Sequence, residues 1–589
     1  MARFGRREFV KTAAAACGAS ALPRPSRADG DRTSFKVGFI TDTHVGETRK
    51  SCELVKGAFE VFKAQGVQAI GHCGDLADWH YELGYKYYRE AFESTYPDPA
   101  KRPEMLYVYA NHDALNTKFQ RDPNGPHKRF LDLRTAFAAM RKHLAIPHDL
   151  FHETVIGGVP FLVFPQTFDL VGGLKFLDEK IKETCARFPT GPVVLLTHLP
   201  PADTLYNSRA WGSIALTRIF EKYPRLVTFT GHTHGSLRNE QSIWQGAFTA
   251  VDVCCLQVWH GNSVGTPVSS KKAYGAIVAD FHPDRIVLHR IDVRDGSEFK
   301  ADDPWIVPLP FDPATAPYNW KTRAKTERKA EFPSGAMVAV EAIGAPADKV
   351  KVSFPGAAAE EDVLWYQTEL ARPKGDGWET YARADIFGEF YKRPQERTGR
   401  YSLNFSSMQF ENGADTRIRV RPVGFFGAAG VPLETVWKPK DLIRPASTWV
   451  CDDPTAAYPL LRHGWPQSAK DWENAKTVQP RADGWYDCSS GHYCKVVPAK
   501  EFAAPKGTRF RFAAELRMKQ DPVYDGMRVS LSGIGKRFHF LTSPCGDAGL
   551  MRYVWEFTAQ SDEPEAHRVT LSGGKALARF ERFILERMP

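Results

Sequence analysis

Residues 35–44 are "FKVGFITDTH", an apolar run followed by Asp42 and His44. A short run of aromatic and β-branched residues that ends in polar side chains is typical of a buried β-strand. Alternate residues of an extended chain point to the same side, so Asp42 and His44 can project together. The segment therefore predicts a buried strand that delivers a carboxylate and an imidazole at its end.

Similar apolar runs follow along the chain, and amphipathic segments separate them. Residues 50–65, 176–188 and 215–223 place apolar side chains at helical spacing, and Ser213 could cap the last of these helices. Strands that alternate with helices predict an α/β layered fold with function at the carboxyl ends of the strands. Residues 274–293 predict a closing hairpin. The other predicted strands are VQAIGHC (67–73), MLYVYA (105–110), VPFLVFP (159–165), PVVLLT (192–197) and LVTFTG (226–231).

The sequence pattern changes after Gly296, and we place the end of the α/β domain (34–296) there. Residues 302–319 are rich in Pro and Asp and predict a linker. Residues 334–437 lose helical periodicity and predict a β-sandwich, whose segment 416–430 resembles the late strands of fibronectin type III-like domains. Residues 438–589 predict a second, C-terminal β-sandwich with five tryptophans. These tryptophans suit core packing, and a glycan contact is the alternative.

The N-terminal residues 1–30 predict an export signal. Arg6 and Arg7 precede a short stretch of small, mildly apolar residues and resemble a twin-arginine signal, which implies a periplasmic, secreted or cell-surface protein. This segment holds six basic and two acidic residues, so it contributes +4 of the formal charge of +9. The remaining charge forms no long basic run, and no nucleic-acid partner is indicated. No apolar run is long enough to predict a transmembrane segment.

Chemically able side chains follow five of the predicted strands. A single polar residue at a strand end is usually a turn former, but together these side chains concentrate oxygen and imidazole donors at five strand ends of one predicted sheet. Such donors suit divalent Mn, Fe or Zn. The residues are Asp42 and His44, Asp75 and Asp78 in GDLAD, Asn111, His112 and Asp113 in NHD, His198 in THLPP, and His232 and His234 in GHTHG.

The ordered motifs D-x-H, G-D-x-x-D, N-H-D, H and G-H-x-H resemble the calcineurin-like metallophosphoesterase family over residues 35–295. The resemblance implies a four-layer α/β/β/α sandwich and a centre for two divalent metal ions. It implies one ion bound by Asp42, His44, Asp75 and His234, and a second bound by Asp75, Asn111, His198 and His232. It also implies that His112 is the catalytic histidine, that Asp113 pairs with it, and that Asp78 supports the site from behind the ligands.

Two dications about 3.5–4 Å apart can clamp a phosphoryl group and lower the pKa of a bridging water, which yields a hydroxide nucleophile near neutral pH. His112 would then stabilise the leaving oxygen or protonate it. A ligand shared by two cations should be a carboxylate, and Asp75 meets that requirement.

Two positions depart from the family pattern. Ala110 stands where the family usually has Gly, so either this turn tolerates a negative φ or Asn111 is displaced. Asp78 stands where purple acid phosphatase relatives carry a metal-binding Tyr. That difference favours a colourless site with Mn, Zn or Fe(II) over a ferric one.

The sequence thus predicts an exported, two-metal phosphoester hydrolase that acts on a small phosphoester, with diesters favoured and monoesters as the alternative. Arg209 and Trp211, in the segment after His198, are candidate substrate contacts, although a solvated Arg and a packing Trp are equally compatible with the pattern. A different class, a surface glycan-binding protein with a vestigial metal domain, would require a missing ligand. None of the family's ligand positions is altered.

Overall fold

The structure is a computed structural model, and it divides the chain into two compact units, described separately below. Of the described residues, those up to 261 and those within 268–326 form the first unit, and those from 327 onward form the second. The structure describes residues 34–118, 131, 133–166, 170–256, 259–261, 268–271, 273–360, 362–442, 479–480, 486–487, 493–496, 506–520, 527–532, 538–541, 546–558, 568–572 and 576–587.

Two β-sheets form the centre of the first unit. The seven-stranded sheet has the order Ser297–Glu298, Arg285–Asp292, Gly275–Phe281, Phe35–Ile40, Ala69–His72 and Glu104–Tyr107, with Trp305–Pro308 also paired to Arg285–Asp292. The six-stranded sheet has the order His152–Ile156, Val159–Val163, Val193–Leu196, Leu226–Thr230, Thr249–Asp252 and Ile243–Gln245. A separate pair joins Trp259–Gly261 to Val268–Lys271.

The strands that carry the predicted site are parallel within each sheet. Phe35–Ile40 pairs in parallel with Ala69–His72, which pairs in parallel with Glu104–Tyr107. In the other sheet Val193–Leu196 pairs in parallel with Leu226–Thr230. The carboxyl ends within each sheet therefore meet at one edge.

Helices cover the outer faces of both sheets. The two sheets pack against each other through a shared core that includes Phe39, Phe161 and Phe229, and Phe39 and Phe229 stack with ring centroids 3.9 Å apart. The longer helices contribute to the outer cores, so the predicted four-layer α/β/β/α sandwich is confirmed. The α-helices are Glu53–Gln65, Glu82–Thr95, Asn111–Ala114, Leu133–Leu144, Leu170–Arg187, Ser208–Trp211, Ile214–Phe220 and Trp320–Thr326, and the 3₁₀ turns of this unit are Arg49–Cys52, Asp78–His80, Pro99–Lys101 and Glu240–Ser242.

Two local predictions are corrected and one is confirmed. Residues 302–319 are not simply a linker, because Trp305–Pro308 adds a strand to the seven-stranded sheet and Trp305 is buried. Ser213 occupies the N-cap position of Ile214–Phe220, but its side chain makes no capping hydrogen bond. The predicted hairpin is present, with His282-Pro283-Asp284 between its strands.

The second unit is built from β-sheets. Its first two sheets, which lie within the predicted 334–437 sandwich, pack around one core that includes Val350, Phe405, Leu370 and Ile418. One sheet contains Ala339–Gly344, Ala347–Pro355 and Arg400–Ser406, and the other contains Gly377–Phe387, Trp365–Lys374, Thr416–Val423 and Leu433–Trp437. The 3₁₀ turns here are Glu389–Tyr391, Pro394–Glu396 and Ser407–Gln409.

Further strands follow in the C-terminal region. One sheet has Gln479–Pro480, Tyr486–Asp487, Ala576–Arg587, Arg509–Gln520 and Gly546–Thr558, and another has Tyr493–Val496, Arg568–Ser572, Met527–Ser532 and Phe538–Leu541. The predicted all-β character is therefore confirmed, while the likeness to fibronectin type III domains stays a prediction.

Several sequence predictions fall on undescribed parts of the chain. The export signal at 1–30 lies outside the described residues, as do the side chains of the five C-terminal tryptophans. Export and glycan contact therefore stay predictions. Among the helices that the structure describes, none is both long enough and apolar enough to cross a membrane.

Candidate metal centre

The polar strand ends belong to two sheets rather than to the one sheet that the strand pattern predicted, and they come together in three dimensions. Asp42, His44, Asp75 and Asn111 follow strands of the seven-stranded sheet, and His198, His232 and His234 follow strands of the six-stranded sheet. Asp42, Asp75 and His198 are buried, with at most 1% of each residue exposed. The backbone ties the loops to each other, because the amides of Asp42 and His44 donate to the carbonyls of Gly74 and Asp75.

The first group of side chains contains Asp42, His44 and His234. The Nε2 atom of His234 lies 3.0 Å from Oδ1 of Asp42 and 3.2 Å from Nε2 of His44. The Nε2 atom of His44 lies 3.7 Å from the same Asp42 oxygen. These donor atoms are close enough together to hold one metal ion.

The second group contains Asp75, His198 and His232. The Nε2 atom of His198 lies 3.1 Å from Oδ2 of Asp75 and 3.1 Å from Nδ1 of His232. This group could hold a second ion. The same His198 nitrogen lies 4.0 Å from Oδ1 of Asp42, so the two groups are neighbours.

Three buried oxygen atoms show that these residues suit divalent cations. Oδ1 of Asn111 has no hydrogen-bond partner, whereas Oδ1 of Asp42 and Oδ2 of Asp75 face histidine nitrogens, the nearest being 3.0 Å away on His234 and 3.1 Å away on His198. The opposite oxygens of the two carboxylates are held in place: Oδ2 of Asp42 accepts from Thr41 and from the amide of His232, and Oδ1 of Asp75 accepts from the amide of His112. Each carboxylate is thus oriented by one oxygen and presents the other to histidine nitrogens, and a buried oxygen without a partner, as on Asn111, is costly unless a cation binds it.

The backbone at this site is strained. Five of the seven predicted ligands, Asp42, His44, Asp75, His232 and His234, have positive φ values between 41° and 70°. Non-glycine residues avoid this region at a cost of roughly 1–3 kcal/mol each, and such strain clusters at functional sites. The strained backbone lowers the stability of the fold, and it directs these side chains toward a common point.

The charges in the centre are strongly coupled. Burial alone would raise the pKa of Asp42, but His234 and His198 outweigh it and hold that pKa well below its usual range. Burial opposes protonation of His44 and His198, but the neighbouring carboxylates raise their pKa values to about 10 and about 9. Burial and the charge of the neighbouring His198 lower the pKa of His232 to about 3. The His232 ring is therefore neutral and can offer a nitrogen lone pair to a metal ion. The carboxylates draw positive charge to themselves, as a metal site requires.

Asn111 begins a short helix at the end of its strand. The backbone amide of Asn111 donates to the side-chain Oε1 of Gln166 (3.1 Å). The backbone amide of Gln166 donates to the carbonyl of Tyr109. Ala110 has φ −137° and ψ −176°, an extended conformation. The turn therefore tolerates a negative φ, which resolves the two alternatives left by the sequence. Gln166 had no recognisable motif, and only the folded chain places it here.

His112 is oriented by a different carboxylate from the one expected. Its Nδ1 lies 2.7 Å from Oδ1 of Asp78, and its ring contacts that of His44 edge-on with centroids 4.5 Å apart. The prediction that Asp113 pairs with His112 is wrong. The Asp113 carboxylate instead accepts from the amides of Ala77 and Ala110, because it folds back over the turn that it follows.

The Asp113 turn is a buried structural element. Burial and the charge of Asp75 raise the pKa of Asp113 to about 7. His80, whose Nδ1 lies 2.6 Å from the carbonyl oxygen of Asp113, is itself buried and supports the turn from behind. Asp78 lies where a supporting residue was expected: its Oδ1 is 3.7 Å from Nδ1 of His44, whose Nε2 faces Asp42, and it also contacts Nδ1 of His112.

Two more buried residues hold the ligand loops and escaped the sequence analysis. Nε2 of His72 lies 3.0 Å from Oγ1 of Thr43, the residue between the first two ligands. Asp252 accepts from Oγ1 of Thr233, the residue between the last two. Each is the buried last residue of its strand, Ala69–His72 or Thr249–Asp252, so a polar residue at a strand end is the signal that could have found both.

The two candidate substrate contacts lie in the short helix Ser208–Trp211. The ring centroid of Trp211 is 5.5 Å from that of His232, so this residue is beside the centre. The backbone of Arg209 belongs to the same helix, and its side chain lies outside the described part of the structure.

Gly74 offers a local test of the geometry. Its φ is +105°, and a Cβ at this position would lie 2.6 Å from Nδ1 of His198 and 2.7 Å from Cβ of Ala110. We expect Gly74→Ala to displace His198 and to lower metal affinity and kcat/KM by about 10- to 100-fold, as for residues that orient metal ligands. Calorimetric metal titration and steady-state kinetics measure both.

Gly66→Ala is the control for Gly74→Ala. Gly66 also has a positive φ (67°), but a Cβ there meets nothing within 4 Å. It should cost only about 1 kcal/mol of backbone strain and leave metal affinity unchanged. Equal metal affinities of the two variants would contradict the steric role of Gly74.

Residues 35–236 match the family model described as calcineurin-like phosphoesterase. Residues 35–236 of the first unit are therefore similar to calcineurin-like phosphoesterases, and all seven candidate ligands lie within the matched residues. No curated protein matches the chain.

Solved structures with similarity to the chain include three phosphoesterases. A dimetal phosphatase from Danio rerio is 11% identical, covers 46% of this chain and 98% of its own, and has a TM-score of 0.31. Yfce, a phosphoesterase from E. coli, is 12% identical over 45% of this chain and 96% of its own, with a TM-score of 0.23. A purple acid phosphatase from yellow lupin (Lupinus luteus) is 13% identical over 48% of this chain, with a TM-score of 0.34, and the match spans 55% of that enzyme.

Proposed function

We propose that this protein is a two-metal-dependent phosphoester hydrolase. The observation that carries the proposal is that buried oxygens of Asp42 and Asp75 face histidine nitrogens and that the buried Oδ1 of Asn111 has no hydrogen-bond partner, all within the residues that match calcineurin-like phosphoesterases. In the described part of the chain, Asp42, Asp75 and Asp78 form ion pairs with histidines and with no Lys or Arg. No permanent counter-ion competes there with a dication.

The ligand sets are proposed as follows. Asp42, His44 and His234 hold the first ion and His198, His232 and Asn111 hold the second, with Asp75 shared. Divalent ions bound there would polarise the phosphoryl group and acidify a water. The identity of the ions, Mn, Zn or Fe(II), is left to measurement.

His112 is the proposed proton donor to the leaving oxygen. Its ring lies against that of His44, and its Nδ1 contacts Asp78. Hydrogen bonds to His112 and His44 outweigh burial and hold the pKa of Asp78 well below its usual range, so Asp78 is an anion that can keep the His112 ring oriented. Nε2 of His112 is then the atom that would carry the proton to the leaving group.

Diesters are the favoured substrates, and monoesters are the second candidate. The side of the centre next to His232 presents the partly exposed ring of Trp211, and an apolar surface suits the second ester group of a diester. No observation in the described residues supports a glycan ligand for the C-terminal sheets.

Metal analysis combined with a substrate comparison tests the proposed function. We expect the full chain to bind two divalent ions and to hydrolyse bis(p-nitrophenyl) phosphate about tenfold faster, by kcat/KM, than p-nitrophenyl phosphate. Elemental analysis after dialysis gives the ion count. Absence of bound metal, or turnover that survives verified metal removal, would show the proposal to be wrong, and a reversed substrate ratio would select the monoesterase alternative.

A further inference from the structure

The segment between His198 and the helix Ile214–Phe220 forms a tightly hydrogen-bonded loop. Oγ of Ser208 accepts from the amides of Thr204 (3.0 Å) and Leu205 (2.9 Å). The amide of Ala202 donates to the carbonyl of Ser213, and the amide of Ser213 donates back to Pro200. These bonds close the loop at its base and fix the short helix that it carries.

The backbone is tightly packed just after Trp211. A Cβ on Gly212 would lie 2.3 Å from the carbonyl oxygen of Ser208 and 2.6 Å from that of Pro200. The amide of Trp211 donates to the carbonyl of Asn207, and that of Gly212 donates to Ser208. The backbone that carries Trp211 is therefore rigid, and its ring is placed in advance of any ligand.

The ring of Trp211 lies beside the second ligand group. It meets the ring of His232 edge to face, at 72°. His232 in turn lies 3.1 Å from His198, so the three rings form a row that ends in Trp211. Trp211 is 39% exposed, which leaves much of its indole surface available next to a buried polar centre.

We propose that Trp211 is a specificity-determining residue that binds a flat aromatic group carried by an ester oxygen of the substrate's phosphoryl group. This inference rests on the proposed function, because the phosphoryl group must sit at the metal centre for its substituent to reach past His232. A rigid, partly exposed indole offers stacking and apolar contact at little cost in conformational entropy. Substrates with aryl or nucleobase-like groups are therefore preferred over those with small alkyl groups.

Two phosphonates isolate the contribution of the aromatic group. Phenylphosphonate and methylphosphonate carry the same metal-binding anion, so the ratio of their inhibition constants reports the substituent alone. Both are measured against hydrolysis of p-nitrophenyl phosphate by the metal-loaded full chain. Calorimetric titration of each phosphonate gives the same ratio without turnover.

The wild-type protein should bind phenylphosphonate about tenfold more tightly than methylphosphonate, and Trp211→Ala should reduce this preference by about 3- to 10-fold. Trp211→Phe should keep most of the preference, since it retains an aromatic face. Ile214→Ala is the matched control: Ile214 is 48% exposed and lies three residues further along the chain, and its loss should leave the ratio unchanged.

A ratio near one in the wild type, or an unchanged ratio in Trp211→Ala, overturns the role of Trp211 while leaving the metal centre intact. Failure of the wild type to bind either phosphonate overturns the proposed function and this inference with it. If Trp211→Ala does not fold, the Trp211→Phe and Trp211→Leu pair replaces it, and equal ratios in that pair count against the proposal.

Discussion

Asp75→Asn should lower kcat/KM for phosphoester hydrolysis by about 10³-fold or more. Asp75 is the one residue assigned to both ions, and its buried Oδ2 lies 3.1 Å from Nε2 of His198. An amide is nearly the same shape but carries no charge, so it cannot balance two dications. Several kcal/mol of electrostatic stabilisation are at stake, and each 1.4 kcal/mol corresponds to about a tenfold change in rate.

Kinetics and metal content of Asp75→Asn should be measured together. We expect fewer than two ions per chain, with the thermal transition of the protein still cooperative. Asp203→Asn makes the same chemical change at an exposed position in the loop after His198, where Asn also tolerates the positive φ of 64°. That variant should retain full activity. If Asp75→Asn keeps the turnover and the metal content of the wild type, Asp75 does not bridge the two ions.

Glu240→Gln should destabilise the first unit by about 3–5 kcal/mol. Glu240 is 2% exposed, and it contacts Arg290 (3.0 Å), Lys300 (2.6 Å) and Arg323 (3.0 Å). These partners come from Arg285–Asp292, from the segment before Trp305–Pro308 and from Trp320–Thr326. Removing the carboxylate that all three cations share would leave the buried guanidinium of Arg290 without this counter-charge, and the cations would repel each other.

The loss should be visible in urea unfolding as a lower midpoint with an unchanged slope, and as a fall of about 10 °C in Tm. Burial would raise the pKa of Glu240, but Arg290, Lys300 and Arg323 hold it well below its usual range. The stabilisation is therefore complete above the unfolded pKa of about 4.3 and is lost as the pH falls toward the folded value. The difference between wild type and variant should narrow in acid.

Glu90→Gln provides the comparison for Glu240→Gln. Glu90 pairs with Arg49 at the surface, where their side chains are 48% and 72% exposed. Exposed pairs contribute about 0–1 kcal/mol, so this substitution should hardly move the midpoint. Similar midpoints for Glu240→Gln and Glu90→Gln would mean that the buried cluster does not support the fold.

The arrangement of the candidate ligands could be anticipated because parallel strands align their carboxyl ends. Once residues 35–40, 69–72 and 104–107 are strands of one sheet, Asp42, Asp75 and Asn111 must emerge at the same edge. The local sequence pattern was sufficient to predict these strands, because strand propensity and apolar character can be judged within short segments. The facing sheet followed from the family resemblance rather than from any pattern in the residues.

The sequence could not show which carboxylate orients His112, because Asp78 and Asp113 both follow strands that end at the same edge of the sheet. Asp113 is adjacent to His112 in sequence, yet its side chain turns back to the amides of Ala77 and Ala110. Asp78 is 34 residues away in sequence and contacts the His112 ring. The backbone amides of the folded turn bind Asp113, which leaves Asp78 to contact His112. Distance along the sequence does not predict this outcome.

The sequence by itself determined the α/β order of the first unit, the all-β character that follows, and the residue types gathered at the strand ends. These features depend on periodicity and on the direction of strands, which are local properties. Tertiary structure alone decided that Trp305–Pro308 joins the sheet, that Asp78 rather than Asp113 contacts His112, and that Trp211 lies beside His232. Each of these depends on which groups remain unpaired after distant segments pack, and that is settled only when the whole chain folds.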